Sequence, residues 1–303
     1  MKNDEAGRIV NNEIHSRGLW ADAWHRLKKN KLAVGGLTFI GILILISIAT
    51  IIIDWVTKGS VYQNYVVQTN LSMKLMPPSS KHIFGCDEYG RDILFRIIWG
   101  TRYSLSIGVV SIAMALFLGG ILGSVAGFYG GTIDNIIMRV MDVFLSIPSM
   151  VMAIAIVSAL GNGTFNILLS IAVPQVPRLA RIVRASIISV RDKEFVEAAR
   201  AVGASDFLII VKYIIPNALA PIIVQASLNV GSAILSVAGL SFLGIGIQPP
   251  APEWGSILNA ARTYMRNSWH ISVIPGFVIM LTVLCINLAG DGLRDALDPK
   301  LKN

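Results

Sequence analysis

Long apolar runs constrain this chain more than any other feature. Residues 32–53 carry no charged side chain, and they are long enough for a helix to cross the hydrocarbon core of a bilayer, which takes about 20 residues. Further apolar runs follow at residues 103–128, 133–160, 165–187, 217–240 and 271–288. The sequence therefore predicts an all-α integral membrane protein with six transmembrane helices.

The composition excludes several other classes of protein. Of the 303 residues, 54% are hydrophobic and only 15% are charged, which is too apolar for a soluble domain of this size. The net charge of +8 does not indicate nucleic-acid binding, because the positive residues cluster beside the apolar runs, where they orient a membrane protein. The two cysteines, Cys86 and Cys285, are far apart and no metal-ligand spacing occurs, so we expect no metal site.

Charge also predicts the orientation. Residues 1–31 hold seven lysines and arginines, so this segment is predicted to be cytoplasmic, with an amphipathic helix that either lies against anionic membrane lipid or is an ordinary juxtamembrane segment. Six spans put the tail, residues 291–303, on the same side. Residues 54–101 then form an extracytoplasmic segment, and residues 102–290 form a core of five helices.

A stretch of charge and turn residues, 191–217, separates the fourth and fifth spans. Asp192 is placed to cap a short helix, Gly203 occupies the position of a left-handed terminating residue, and Ser205 can cap the next helix. Because four spans precede this stretch, it is predicted to be cytoplasmic.

The short helix at residues 194–202 has an apolar stripe. Phe195, Ala199 and Val202 recur at helical spacing, so they are predicted to share one face. Such a face either docks on a partner or covers the protein's own surface, and the pattern alone leaves both open.

The same stretch resembles the EAA loop of ABC importer permeases. Glu197, Ala198 and Ala199, followed after three residues by Gly203 and later by Pro216, match the pattern of that family. In the family this loop is a cytoplasmic coupling helix that seats in a groove of an ATPase subunit. The resemblance implies a type I ABC importer permease fold, with these five residues coupling the chain to the ATPase.

Other segments resemble the C-type subunit of the oligopeptide and dipeptide branch. They are residues 84–85, 87–88, 90–92, 240–250, 252–255 and 290–299. The resemblance implies a B-type permease as a heterodimer partner, two ABC ATPase subunits, an extracytoplasmic peptide-binding protein and a bacterial cytoplasmic membrane. Cys86 and Tyr213 replace the threonine and histidine that are usual in the branch.

The chain is expected to catalyse nothing itself. It has no GxxxxGK[ST] loop to hold nucleotide phosphates, so ATP and Mg are expected on the partner subunits and no cofactor on this chain. A permease for a nickel complex or another small solute remains an alternative. An ion channel or a membrane scaffold is the alternative of another class.

Polar residues supply two further candidate sites. A stripe on the fifth span either lines a translocation pathway or joins helices by hydrogen bonds. Its members are Gln225, Asn229, Ser232 and Ser236. In the last external loop, Glu253 and Arg266 are candidates for docking the binding protein.

Three local patterns predict packing within the spans. Glycines recur at every fourth position of the second span and favour close helix approach: Gly119, Gly123, Gly127 and Gly131. Arg139 and Asp142 are spaced to pair within the third span, where Pro148 predicts a kink. Three arginines of the fourth span are expected to reach the headgroups: Arg178, Arg181 and Arg184.

Overall fold

The computed structural model describes residues 19–297, and all regular secondary structure in that range is helical. The longer helices follow one another along the chain with short connections, except for two longer segments, one before α3 and one around α9. The helices are α1 (Leu19–Lys29), α2 (Lys31–Val56), α3 (Ile93–Tyr129), α4 (Gly131–Leu145), α5 (Ser149–Leu160), α6 (Thr164–Arg191), α7 (Glu194–Ala201), α8 (Asp206–Phe242), α9 (Trp254–Ala261) and α10 (His270–Leu297).

Side-chain caps define where the first long helices begin. Asn30 Oδ1 accepts a hydrogen bond from Ala33 N at 3.2 Å, which starts α2. Asp92 Oδ1 accepts one from Phe95 N at 3.2 Å and starts α3. The helix that begins there, Ile93–Tyr129, is continuous over 37 residues.

Within the described residues, four helices are long and apolar enough to cross a membrane: α2, α3, α8 and α10. The pair α4 and α5 makes a fifth if it counts as one span, and its halves meet at an angle of 86° beside Pro148, so the predicted kink is confirmed. The predicted count of six is not confirmed. Helix α6 has 28 residues, but its arginines and two prolines make it less apolar than the other spans.

The glycine edge of α3 brings that helix against α6. A Cβ at Gly123 would lie 2.4 Å from Ala180 O, and one at Gly119 or Gly127 would lie 2.9 Å from a carbonyl oxygen of α6. The predicted close approach is therefore confirmed at these three positions. Gly131 instead begins α4 and has open space around it.

Ion pairs between α4 and α6 replace two of the predicted arrangements. Asp142 pairs with Arg181 of α6, not with Arg139 in its own helix, so the predicted local pair is wrong. Asp134 pairs with Arg184, whose Nε lies 2.5 Å from Asp134 Oδ1. Because α4 packs alongside the distal half of α6, these two arginines reach its carboxylates, and their predicted contact with headgroups stays a prediction.

We expect Gly123→Leu to lower the free energy of unfolding by roughly 1–3 kcal/mol, because the new side chain must push the backbone of α6 away. Gly120→Leu is the matched control on the same helix, since nothing lies within 4 Å of its Cβ position. The measurement is thermal unfolding of the two purified variants in detergent. Equal midpoints would show that close approach of α3 to α6 contributes nothing to stability.

Candidate functional site

The helix α7 joins the two long helices α6 and α8 through tight turns. Lys193 is its N-cap residue and makes no side-chain bond, so the predicted cap by Asp192 is wrong. Asp192 lies one residue too early, and its Oδ1 accepts a hydrogen bond from Arg191 Nε at 3.0 Å instead. Glu194 and Glu197 lie in the first turn, where the helix dipole favours negative charge.

The end of α7 follows the predicted turn chemistry. Gly203 has a φ of +81°, and its amide donates to Arg200 O at 3.0 Å. Ser205 Oγ then accepts from Leu208 N at 3.4 Å and caps α8. The predictions for Gly203 and Ser205 are both confirmed, because a left-handed turn and a hydroxyl cap are local signals.

Two residues fasten α7 to the rest of the protein. Val196 and Ala199 are 0% and 5% exposed, and they pack in a cluster that includes Ile209 and Ile214 of α8. Three residues apart on a helix, Val196 and Ala199 share one face. That face rests on the protein's own surface.

The side of α7 next to this buried face is exposed and partly apolar. Phe195 is 42% exposed and Val202, the residue after the last turn, is 84% exposed, whereas Ala199 is buried. The predicted stripe of Phe195, Ala199 and Val202 therefore runs along the edge of the buried face, with Ala199 packed on the protein and the other two side chains exposed. Docking by these exposed side chains stays a prediction. One face is packed on the protein, and the other presents apolar side chains to the surroundings.

The residues singled out by the EAA pattern divide between these two faces. Glu197 and Ala198 are exposed, whereas Ala199 is buried. Gly203 is exposed, and nothing lies within 4 Å of a Cβ built on it, so its backbone conformation alone accounts for glycine there. Pro216 is exposed on α8, directly after a π-helical stretch at Ile209–Ile214.

A polar cavity lies between α7 and the turn from α3 to α4. It has a volume of about 690 Å³, and its lining includes Asp134, Arg184, Arg191 and Arg200. Arg191 Nη1 donates to Gly127 O at 2.9 Å and so ties the base of α7 to the end of α3. Sequence reasoning missed this contact, because it joins residues 64 positions apart.

The family described as binding-protein-dependent transport system inner membrane component matches residues 119–303. A second family, the N-terminal TM domain of oligopeptide transport permease C, matches residues 18–78. The chain belongs to these permeases.

Proteins similar to the permease are named as permeases for short peptides. The dipeptide transport system permease protein DppC of Alkalihalophilus pseudofirmus is 47% identical over 94% of this chain and 91% of that protein. The di/tripeptide transport system permease protein DppC of Pseudomonas aeruginosa is 42% identical over 92% of each. The glutathione transport system permease protein GsiD of Pectobacterium atrosepticum is 41% identical over 94% of this chain and 92% of that protein.

Solved structures agree on the fold of the permease. A chain of the MetNI methionine ABC transporter, in inward-facing conformations, aligns with a TM-score of 0.54 at 20% identity. The alignment covers 68% of this chain and 97% of that one. The permease thus has the type I ABC importer permease fold that the EAA loop implied, in a multi-pass protein of the inner membrane.

The polar stripe of the permease lies on α8 and divides into two pairs. Gln225 Nε2 donates to Asn229 Oδ1 at 3.3 Å, and Ser236 Oγ donates to Ser232 O at 2.9 Å. Asn229 is 3% exposed, and its Nδ2 has no hydrogen-bond partner among residues 19–297. Ser232 is exposed on the surface of an apolar span.

Glu253 does not have the position expected of a docking residue. Its carboxylate is fully buried and accepts hydrogen bonds from Gly255 N and Ser256 N, both at 2.9 Å, and from Ser104 Oγ at 3.2 Å. A carboxylate just before a helix meets the free amides of the first turn, so Glu253 caps α9 instead of facing a partner. Arg266, by contrast, is exposed.

The segment before α3 carries a buried charge cluster that sequence reasoning also missed. Arg91 Nε lies 2.7 Å from Asp87 Oδ2, and Arg96 Nε lies 3.4 Å from the same oxygen. Glu88 accepts from Arg91 Nη2 at 3.2 Å, and burial raises the pKa of its carboxyl. The residues that resembled the family pattern here therefore fold this segment onto α3.

We expect Glu253→Ala to lower the free energy of unfolding by roughly 1–3 kcal/mol, because two amides and a hydroxyl lose their acceptor in a buried place. Arg266→Ala is the control from the same external region and should leave the thermal midpoint unchanged. The readout is thermal unfolding of the purified permease. A stable Glu253→Ala variant that no longer responds to a binding protein would restore the docking role.

Proposed function

We propose that the permease is one of two transmembrane subunits of an ATP-driven importer of short peptides. Its partners in this proposal are a B-type permease, two ATPase subunits that hold ATP and Mg, and an extracytoplasmic peptide-binding protein. The names of the relatives support the cargo, since they specify dipeptides, di- and tripeptides, and glutathione, which is itself a tripeptide. Both termini are cytoplasmic in this proposal.

The single observation that carries the proposal is the division of α7 into two faces. Val196 holds the helix on the protein, whereas Phe195 and Val202 are left exposed. An exposed apolar surface on a short helix outside the spans favours contact with another protein, because exposing apolar side chains to water costs free energy that burial in an interface recovers. We infer that the exposed face of α7 seats in the ATPase.

The connections of α7 make it a lever in this proposal. Two residues separate α6 from α7, and a short turn separates α7 from α8. A displacement of α7 therefore moves both long helices. In this proposal the long helices alternate between two arrangements. Binding of ATP can shift the equilibrium between them only if the ATPase binds the two arrangements with different affinity. Gly203 supplies the turn, and Glu197 is exposed where it can make polar contacts with the ATPase.

The translocation pathway is proposed along α8. Ser232 is exposed in an apolar span, and an exposed polar group there requires protein or water against it. We place the second permease and the passage for the peptide on this side of the helix. Arg266 remains the proposed external contact for the binding protein.

The lever is tested by separating the two faces of α7. Val202→Asp should abolish co-purification of the ATPase subunits while the thermal midpoint of the permease stays unchanged, because that side chain is exposed. Val196→Ala should do the opposite and cost roughly 1–2 kcal/mol of stability from a buried site, with the ATPase retained. If Val202→Asp keeps its ATPase, the proposed docking face is wrong.

The cargo is tested by transport into proteoliposomes that contain the complete complex and its binding protein. We expect ATP-dependent uptake of radiolabelled dialanine, with competition by unlabelled di- and tripeptides. A nickel complex should neither enter nor compete. Uptake of nickel without uptake of peptide would favour the alternative small-solute importer, and uptake without ATP would favour a channel.

A further inference from the structure

An apolar slot opens on the side of the permease between α1 and α2 on one side and α8 and α10 on the other. It has a volume of about 250 Å³. Leu27 and Leu293 lie at its α1 end, and Leu105 and Val109 of α3 lie in its lining as well. Leu37, Ile44 and Val109 remain 38%, 48% and 51% exposed, so the slot is open to the bilayer along its length.

The lining of the slot excludes a polar ligand. Ser227 carries the only side-chain polar group among the residues that line the slot in the described range, and its hydroxyl donates to Val224 O at 2.8 Å. The other lining residues are aliphatic or glycine. A polar molecule in the slot would lose its hydrogen bonds to water without replacement, whereas a hydrocarbon chain would not.

The rim of the slot at α1 is basic. Leu27, which lines the slot, lies in the last turn of α1 together with Arg26, Lys28 and Lys29, and Lys31 follows at the start of α2. On the facing end of α10, Leu293 is followed by Arg294. None of these cations lines the slot itself, but α1 packs on α10, so five cations and two carboxylates, Asp291 and Asp295, lie on the helix ends beside its opening and give that end a positive charge.

We propose that the slot binds one anionic phospholipid, with an acyl chain between the helices and the phosphate against the basic end of α1. An apolar channel with a cationic rim is complementary to a molecule that has both a hydrocarbon tail and a negative head. A helix of a partner protein would match the apolar lining but not the charge of the rim. The proposal is independent of the transport function.

The acyl-chain part of the site is tested by filling the slot. In Ile44→Trp the larger side chain enters the slot, whereas Ile42→Trp places the same residue outside it at nearly equal exposure, 49% against 48%. The complete complex is assembled in nanodiscs of phosphatidylglycerol and phosphatidylcholine and released for native mass spectrometry. We expect one retained phosphatidylglycerol in the wild type and in Ile42→Trp, and at least a fivefold loss in Ile44→Trp.

The headgroup part is tested separately with Lys28→Gln and Lys29→Gln. Each change should reduce the preference for phosphatidylglycerol over phosphatidylcholine about fivefold, since a cation near an anionic surface contributes about 1 kcal/mol. An unchanged preference would overturn the assignment of the rim. Equal retention in Ile44→Trp and Ile42→Trp, or no retained lipid at all, would overturn the site.

A partner protein in the slot would also overturn the proposal. A photoreactive diazirine placed on the acyl chain of phosphatidylglycerol should label residues that line the slot in the assembled complex. Cysteine cross-linking from position 44 to the second permease, with no lipid label, would assign the slot to the interface between the two subunits.

Discussion

The backbone contact between α3 and α6 is the constraint on which the rest of the permease depends. In lipid, helices gain little from burying apolar side chains against one another, so close van der Waals contact is a main source of their association. Three glycines of α3 allow that contact over two helical turns. The helix held in this way, α6, leads directly to α7, so the base of the proposed lever is fixed by close backbone packing against α3.

Charge reinforces this packing where α4 and the end of α3 meet α6. Arg184 of α6 pairs with Asp134 of α4, and Arg191 donates to the last turns of α3. In the segment before α3, Asp87 pairs with Arg91 and with Arg96 of α3, which holds that segment on the helix. A buried ion that lost its partner would be strongly destabilising, so such pairs specify which helices meet more than they add to stability.

Local signals in the sequence predicted much of the fold and part of the site. The glycine edge, the kink at Pro148, the left-handed turn at Gly203 and the cap at Ser205 each depend on a few neighbouring residues.

Other contacts join distant residues and could not be predicted from local spacing. Asp142 pairs with Arg181, which lies 39 residues further along the chain on α6. Glu253 looked exposed because its loop is polar, but its carboxylate meets the amides of α9 and the hydroxyl of a distant serine. The apolar spacing on α7 did not reveal which of its side chains are buried, because Val196 and Ala199 pack on residues of α8 that lie further along the chain.

The bend between α4 and α5 leaves an interrupted stretch of helix exposed. Each half, about 22 and 18 Å long, is shorter than the roughly 30 Å hydrocarbon core, so the elbow falls within the membrane if the pair spans it. Ser146, Ile147 and Pro148 are exposed there, and lipid offers no hydrogen bonds to an interrupted helix. The elbow therefore needs water or a neighbouring protein to cover it. Without such a cover, the backbone groups freed at the elbow would stay unsatisfied in lipid.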